Sequence, residues 1–424
     1  MFTISGSFLK LNNKLLRNKV KQLTFQVEGD RFPIQTAGAV GAFYFESSEP
    51  NTVTVNYGDG TVETYDFFMA GSTLYRFGYR SHDNMSISSA VDTDPHFPHI
   101  FQDNETGIRN ITFEFKNLTK LVSLRANFIE LSGNFPVEVV FANNLKEIEL
   151  SRTNRLNAIP NEVVNIPSLG VYRASNAFLV TPTSIPSGVF NSNLEELNVS
   201  GTILTDNTSS NFFLINRLSG TLTDFAATRS QIEELPNELF ECTLLYDLRL
   251  DGNNFQEIDE RINLLINLNR LYFGSGDQGY TMNISFPDWN SLTNLVTLYL
   301  DFRNVTFDFS DIPQNWTGLK SLSQFSQFNA FCRTDAQFNE FIPYFYQLCT
   351  EQGFIDNASQ EAIDSDYPNQ FREISWSHPS LTVDSVVEAP SGFSLGVSNG
   401  TPTTNGQRIY VLANNYNHSI TYNV

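Results

Sequence analysis

Apolar and polar positions in the middle of the chain follow one recurring pattern, in which a leading leucine is followed three and five residues later by further apolar residues. The pattern is clearest in "LYDLRL" at residues 245–250, and its leading leucines return every 23 to 28 residues. These leucines are Leu121, Leu145, Leu169, Leu194, Leu222, Leu245, Leu268, Leu295 and, in a copy that departs from the pattern, Leu322. Residues two apart on a strand share one face, so each copy predicts a short strand that must stack on its neighbours to bury that face.

This pattern resembles the leucine-rich repeat family, whose units of roughly 20–29 residues are built around LxxLxLxxNxL. The stretch "LYDLRLDGNNF" at residues 245–255 carries the full spacing, with Asn253 at the asparagine position. The resemblance covers about residues 115–330, although Ser230 and Thr202 stand at the asparagine position in two copies. It implies an α/β solenoid: a right-handed coil of repeats with a parallel sheet on its concave face.

Residues 1–110 lack the repeat, and their clearest feature is "VTVNYGDGTVETYDF" at residues 53–67. Alternating apolar and polar residues around Gly58-Asp59-Gly60 predict a β-hairpin, with glycines where positive φ is needed. The stretch is similar to the "GDGT" hairpin of PKD-like β-sandwich modules; an unrelated hairpin with an Asp-Gly turn is the other interpretation. The N-terminal flank is therefore predicted to be a β-rich domain.

After the repeats, "TDAQFNEFIPYFYQLCTEQG" at residues 334–353 has the apolar spacing of an amphipathic helix, with Thr334 and Gln337 as a capping box. Such a helix would cover the open end of a repeat core. The Gly-, Pro- and Thr-rich stretch around "RIYVLANNY" at residues 408–416 predicts a small β appendage. The predicted domains are a β-rich domain at 1–110, a solenoid at 111–333, a capping helix region at 334–373 and a β appendage at 374–424.

The net charge of −20 argues against nucleic-acid binding, because neutralising phosphates needs clustered lysine and arginine. One segment departs from this balance: "KLNNKLLRNKVKQ" at residues 10–22, which precedes the first acid at Glu28. Its basic residues are Lys10, Lys14, Arg17, Lys19 and Lys21. The segment is either a solvated face of a small element or an electrostatic docking site for an acidic partner surface.

No sequence motif for catalysis, cofactors or metals is present. The three cysteines cannot form a disulfide framework, and there is no GxSxG elbow, phosphate-binding loop, HExxH helix or dinucleotide fingerprint. The stretch "DTDPHFPHIFQD" at residues 92–103 places His96 and His99 beside aspartates, but Pro98 interrupts the HxxH spacing and favours a loop over a metal site. We therefore expect a protein that is not an enzyme and uses no cofactor.

The residue between the last two apolar positions of each copy points away from the core and is the candidate for partner binding. On the concave face these residues are Arg125, Glu149, Arg173, Asn198, Arg249, Tyr272 and Tyr299. Arginine and tyrosine are enriched at interface hot spots, which favours a binding surface for a protein or a cell-surface glycan. The alternative is that these side chains only keep an exposed sheet soluble, through pairs between neighbouring strands.

The sequence shows neither a signal peptide nor an apolar run long enough to span a membrane, while its modules suit work at a surface. A bacteriophage virion protein, in the tail or another exposed position, meets both conditions, with the basic residues docking on other virion proteins. The expected location is thus the virion or a cell surface. The alternatives are a bacterial surface adhesin, a structural assembly spacer and an intracellular scaffold.

Overall fold

The computed structural model describes part of the chain in two compact units, residues 1–222 (unit 1) and residues 223–424 (unit 2). The described residues are 21–28, 35–36, 39–40, 42–70, 74–78, 108–127, 131–150, 155–158, 160, 162–163, 166–175, 185, 187–191, 193–204, 211–275, 282–285, 287–302, 305–311, 316, 324–326, 334–351, 375–395, 398–415 and 419–423.

Unit 1 is built from strands joined by short 3-10 helices. Its strands are β1 (Gln22–Glu28), β2 (Gln35–Thr36), β3 (Ala39–Val40), β4 (Ala42–Ser47), β5 (Thr52–Asn56), β6 (Val62–Asp66), β7 (Phe68–Ala70), β8 (Leu74–Gly78), β9 (Ile108–Phe115), β10 (Leu121–Asn127), β11 (Leu131–Asn134), β12 (Glu147–Glu149), β13 (Arg155–Ala158), β14 (Val171–Arg173) and β15 (Glu196–Asn198). Its 3-10 helices are Leu118–Lys120, Val137–Phe141, Ser187–Asn191 and Phe212–Leu218.

One sheet of unit 1 has the strand order β13-β11-β1-β9-β5-β6, in which all neighbours are antiparallel except β13 and β11. Apolar and polar residues alternate along β9, so that Ile111, Phe113 and Phe115 are buried on one face. Phe43 of β4 packs against this face, with its ring centroid 4.8 Å from that of Phe113. The hairpin predicted from "GDGT" is β5 and β6, with Gly58 and Gly60 both at positive φ.

A second sheet of unit 1 has the order β15-β14-β12-β10-β4-β8-β7. The repeat strands β10, β12, β14 and β15 are parallel, whereas β4 of the N-terminal flank pairs antiparallel with β10. The flank and the first repeats therefore share both sheets of unit 1. The boundary predicted after residue 110 lies within β9, and residues 116–120 connect that strand to β10 of the first repeat.

The repeats stack in the manner that the leucine spacing predicts. Leu124, Ile148, Tyr172 and Leu197 lie opposite one another in consecutive strands and are fully buried. Pro136 lies between β11 and the 3-10 helix Val137–Phe141, where its lack of an N–H costs no sheet hydrogen bond. The repeats have a leucine-rich-repeat fold, which confirms the resemblance.

Unit 2 continues the repeats and ends in a mixed α/β segment. Its strands are β16 (Asp224–Ala226), β17 (Asp247–Asn253), β18 (Arg270–Ser275), β19 (Met282–Ser285), β20 (Thr297–Phe302), β21 (Val305–Asp308), β22 (Gln324–Ser326), β23 (Ser375–Thr382), β24 (Ser391–Ser394), β25 (Ser398–Thr401) and β26 (Ser419–Asn423). Its 3-10 helices are Asn237–Glu241, Glu260–Leu264 and Phe309–Asp311, and its α-helices are α1 (Asp335–Glu351) and α2 (Asn405–Asn415). The repeat sheet has the parallel order β22-β20-β18-β17-β16.

Asn253 holds two repeats of unit 2 together from inside the coil. Its fully buried side chain donates to the carbonyls of Ala227 and Leu250, both at 2.8 Å. Its Oδ1 accepts from the N–H groups of Ser230 and Ile232, at 2.9 and 3.1 Å. The asparagine of the repeat motif thus satisfies four buried backbone groups where the chain leaves the sheet.

The C-terminal part differs from the sequence prediction at residues 408–416, most of which lie in helix α2 instead of a strand. Thr404 begins the helix by accepting a hydrogen bond from the N–H of Gln407 at 3.2 Å. Ile409 and Leu412, three residues apart, are buried, and α2 packs against α1. The residue types of this segment favour a strand, which misled the prediction. The apolar residues are instead buried at the spacing of a helix, and this burial decides the structure.

Helix α1 begins where the capping pattern indicates: the N–H of Gln337 donates to the Thr334 hydroxyl at 3.2 Å. Phe338, Phe341 and Ile342 are buried along one side of the helix. The Phe341 ring lies edge-on to Phe309 of the last described 3-10 helix, with ring centroids 5.4 Å apart. The helix therefore packs on the repeat segment that precedes it in the chain.

Candidate functional site

The polar residues predicted to face a partner lie in register across the repeat sheets, on the face opposite the buried leucines. In unit 1 the aligned residues are Arg125, Glu149, Arg173 and Asn198. In unit 2 the residues at the same position are Ala226, Arg249, Tyr272 and Tyr299. Because neighbouring strands lie about 4.8 Å apart, each row forms a continuous line of side chains.

In unit 1 the row is part of a network of paired charges. Glu147 accepts from Arg125 at 2.7 Å and from Arg173 at 2.6 Å, and Arg173 also contacts Glu196 at 2.5 Å. Burial alone raises the pKa of the Glu147 carboxyl, but Arg125, the Ser123 hydroxyl and Arg173 outweigh burial and hold the pKa below its usual value. The charges of this network are therefore engaged with one another.

Arg125 and Glu149 are only 8% and 2% exposed, which corrects the expectation that they present themselves to a partner. The physical reason is the antiparallel strand β4, which places Tyr44 directly opposite Arg125. The Arg125 guanidinium carbon lies 5.6 Å from the centre of the Tyr44 ring. Arg173 and Asn198 remain partly exposed.

In unit 2 this row and Arg270 of the neighbouring row form an aromatic and cationic surface. We call it the tyrosine face; its residues are Arg249, Arg270, Tyr272 and Tyr299. The two tyrosine rings lie 5.4 Å apart, inclined by 36°. The Arg249 guanidinium carbon lies 5.1 Å from the centre of the Tyr272 ring, and the Arg249 and Arg270 side chains are each 48% exposed. Both tyrosines are partly exposed.

The buried carboxylate of Asp247 orients the two arginines of the tyrosine face. It accepts from Nε and Nη2 of Arg249 at 3.0 and 2.8 Å, and it lies 3.5 Å from Nη1 of Arg270. These hydrogen bonds with Asp247 raise the pKa of Arg249, with burial acting in the opposite sense. A guanidinium held in this way is preorganised for contact, so less side-chain entropy is lost on binding.

Other predicted sites lie largely outside the described residues. Four residues of the basic segment lie outside the described residues: Lys10, Lys14, Arg17 and Lys19. The fifth, Lys21, is exposed directly before β1. The stretch with His96 and His99 is also outside. Within the described part of the chain, no three His, Cys, Asp or Glu side chains are grouped to hold a metal ion. No helix among the same residues is long and apolar enough to cross a membrane.

Sequence reasoning missed a second polar ladder, at the edge where the chain enters each repeat strand. In three copies the residue before the leading leucine is an asparagine whose side chain donates to a backbone carbonyl about one repeat length earlier: Asn144 to Thr119 at 2.8 Å, and Asn267 to Thr243 at 2.7 Å. Asn294 does the same to Ile266, at 3.0 Å. The recurrence of asparagine directly before a leading leucine was the signal that could have revealed it.

In unit 2 this edge forms an open groove of about 770 Å³. It is lined by Thr223, Asp224, Leu244, Tyr246, Asn267, Asn269, Asn294 and Val296. Unit 1 has a smaller groove, of about 540 Å³, whose lining includes the equivalent repeat positions Val122, Asn144 and Lys146. The edge groove is therefore a product of the repeat itself.

No protein-family model and no curated protein matches the chain. A similar solved structure is the leucine-rich-repeat ectodomain of the Arabidopsis receptor kinase HAESA in complex with an N-terminally extended IDA peptide hormone, at TM-score 0.35 and 20% identity over 47% of this chain and 32% of that one. A leucine-rich-repeat protein of Leptospira interrogans has TM-score 0.35 and 19% identity over 51% of this chain and 55% of that one. This chain spans less than two thirds of either structure.

Proposed function

We propose that the chain is a non-enzymatic recognition protein that binds a protein or a cell-surface glycan on the tyrosine face. The observation that carries the proposal is the juxtaposition of two partly exposed tyrosines with two half-exposed arginines on a rigid parallel sheet. Tyrosine and arginine dominate binding energies at interfaces because they offer large contact areas and several hydrogen bonds. The sheet holds these four side chains in place before binding, since β17, β18 and β20 are each hydrogen-bonded to a strand on both sides.

The tyrosine face is favoured over the equivalent row in unit 1 for an electrostatic reason. A partner that engaged Arg125 or Glu149 would have to separate buried ion pairs, which leaves charges uncompensated. On the tyrosine face, Arg249 and Arg270 each keep about half of their side-chain surface available while Asp247 holds them in place. A partner can contact both guanidiniums there without separating them from Asp247.

The finer role we propose is that of an exposed bacteriophage virion component, which binds the host surface or another virion protein through its repeats. The separation of charge along the sequence supports this role. Five basic residues lie at 10–21 in a chain of net charge −20, which suits one end to docking and leaves the repeats for recognition. A bacterial surface adhesin and a structural spacer are the alternatives that an experiment has to separate.

Immunogold labelling with an antibody against the chain tests the location, on source cells and on phage particles from the same culture. We expect gold on the particles, at the tail or another exposed position. Gold on the cell envelope alone would replace the virion role with that of an adhesin. Label confined to the cytosol would rule out both.

A binding assay tests the tyrosine face itself. Fluorescently labelled chain is titrated onto cells of the source culture, and Tyr272→Ala/Tyr299→Ala should weaken binding at least tenfold with little change in melting temperature. The matched control is Tyr75→Ala/Tyr344→Ala, which removes two other partly exposed tyrosines and should leave binding unchanged. Equal binding by the wild type and the first variant would remove the tyrosine face from the proposal.

A further inference from the structure

An apolar patch is exposed at the edge groove of unit 2, which Leu244 and Tyr246 line. Leu244, Tyr246, Leu264 and Ile266 are 43%, 45%, 56% and 51% exposed. They come from two successive repeats and account for four of the eleven exposed large hydrophobic residues in the described part of the chain. A concentration of this kind on a folded surface marks an interaction site.

The surroundings of the apolar patch are acidic. Residues 231–270 contain nine carboxylates and three arginines, and there is no lysine between residues 147 and 319. Glu238, Glu241 and Glu260 lie on the 3-10 helices that lead into the patch, and these two helices pack against each other. Arg261, on the second helix, pairs with Asp259. An occupant of the patch must therefore combine apolar side chains with positive charge.

One stretch of the chain has that combination: "FLKLNNKLLRNKVK" at residues 8–21, nearly all of which lies outside the described residues. It interleaves leucines with five basic residues and holds four of the eight lysines of the whole chain. No acid occurs before Glu28. The segment is complementary to the patch in both charge and apolarity.

We propose that residues 8–20 of one copy dock on the apolar patch of a neighbouring copy, so that the chain assembles head to tail. A patch-on-patch contact between two copies is disfavoured, because it would bring the glutamates of both 3-10 helices together. Each copy carries one basic segment and one patch, and a contact between unlike surfaces continues from molecule to molecule or closes into a ring. This inference is independent of the partner of the tyrosine face.

Zero-length carbodiimide crosslinking of the full chain tests the proposal, because the reagent joins a lysine amine directly to a carboxylate. Equal amounts of ordinary and ¹⁵N-labelled chain are mixed, so that links between copies have mixed isotopes. We expect mixed-isotope links from Lys10, Lys14 or Lys19 to Glu238, Glu241 or Glu260. Links found only within one copy, or spread over acids elsewhere, would overturn the proposal.

Charge reversal gives an independent test by sedimentation velocity. Lys10→Glu/Lys14→Glu/Lys19→Glu and Glu238→Lys/Glu241→Lys/Glu260→Lys should each weaken self-association at least tenfold, and mixing the two variants should restore association. The control Asp66→Lys/Glu162→Lys/Glu388→Lys reverses three exposed carboxylates outside the patch and should associate like the wild type. An equal loss in the control, or no recovery in the mixture, would contradict the docking.

Salt supplies a measure that needs no mutation. At about 1 M ionic strength the screening length falls to about 3 Å, so the charge complementarity is lost and the yield of mixed-isotope links should fall at least fivefold. An unchanged yield would mean that charge does not direct the contact.

Discussion

The substitution Asn253→Ala tests whether the motif asparagine stabilises unit 2 through its buried hydrogen bonds. The side chain is fully buried and makes four hydrogen bonds of 2.8 to 3.1 Å, two as donor and two as acceptor. Alanine leaves the carbonyls of Ala227 and Leu250 and the N–H groups of Ser230 and Ile232 without this partner.

An unsatisfied buried polar group costs about 1–3 kcal/mol, and neighbouring losses are not fully additive because the loop can relax. We therefore expect Asn253→Ala to lower the free energy of unfolding by about 3–5 kcal/mol. Asn267→Ala is the matched control, since it removes one hydrogen bond at the exposed edge. Its expected cost is about 0.5–1.5 kcal/mol.

Tryptophan fluorescence during urea unfolding reads unit 2 selectively, because all three tryptophans of the chain follow residue 222. Trp289 and Trp316 are buried and stacked, with ring centroids 6.3 Å apart, so unfolding exposes both. The midpoint should move while the slope with urea stays constant, which shows that stability changed and not the unfolded state. A loss in Asn253→Ala no larger than that in Asn267→Ala would refute the reasoning.

Three further predictions concern charge and packing. Because the pKa of Glu147 is lowered, its carboxylate stabilises unit 1 above about pH 4.3, and this contribution disappears as the pH falls through the lowered pKa. Hydrogen-exchange protection of β12 should therefore fall between about pH 5 and pH 3 in the wild type. It should fall much less in Glu147→Gln. Arg125→Leu removes the partner of buried carboxylates and should cost about 3–5 kcal/mol, whereas Lys120→Leu, which removes the partner of the exposed Glu49, should cost below about 1 kcal/mol. Equal losses by hydrogen exchange would contradict this difference. Gly406→Ala places a Cβ 2.1 Å from the Val386 carbonyl oxygen and should destabilise α2 by about 1–3 kcal/mol. Gly220→Ala is the control, since its Cβ would have no atom within 4 Å, and it should change stability little in thermal unfolding.

The repeat strands and their pairing could be predicted because the leucine spacing fixes both. The residues expected to align across the sheet, from Arg125 to Asn198 and from Arg249 to Tyr299, are aligned in the structure. Side chains of a strand alternate between its two faces, so burying the leucines leaves one register. The exposure of the same residues could not be predicted, since it depends on strands from outside the repeat.

Helix α2 shows the limit of local pattern. The segment "RIYVLANNY" is rich in residues that favour strands, yet Ile409 and Leu412 face α1 at helical spacing. Gly406 lets α2 begin against the Val386 carbonyl, because a Cβ at this position would lie 2.1 Å from that oxygen. A short apolar run fits a strand or a helix equally well, and only its neighbour decides between them.

The sequence by itself determined the repeat, its register, which side chains lie on the face opposite the buried leucines, and the charge contrast between residues 8–21 and the remainder. These features depend on spacing and composition, which are local. Tertiary structure alone decided that Tyr44 covers Arg125, that Asp247 holds Arg249 and Arg270, and that the patch around Ile266 stays exposed. Burial and charge pairing depend on residues distant in sequence, and the spacing of a repeat does not specify which of them pack beside it.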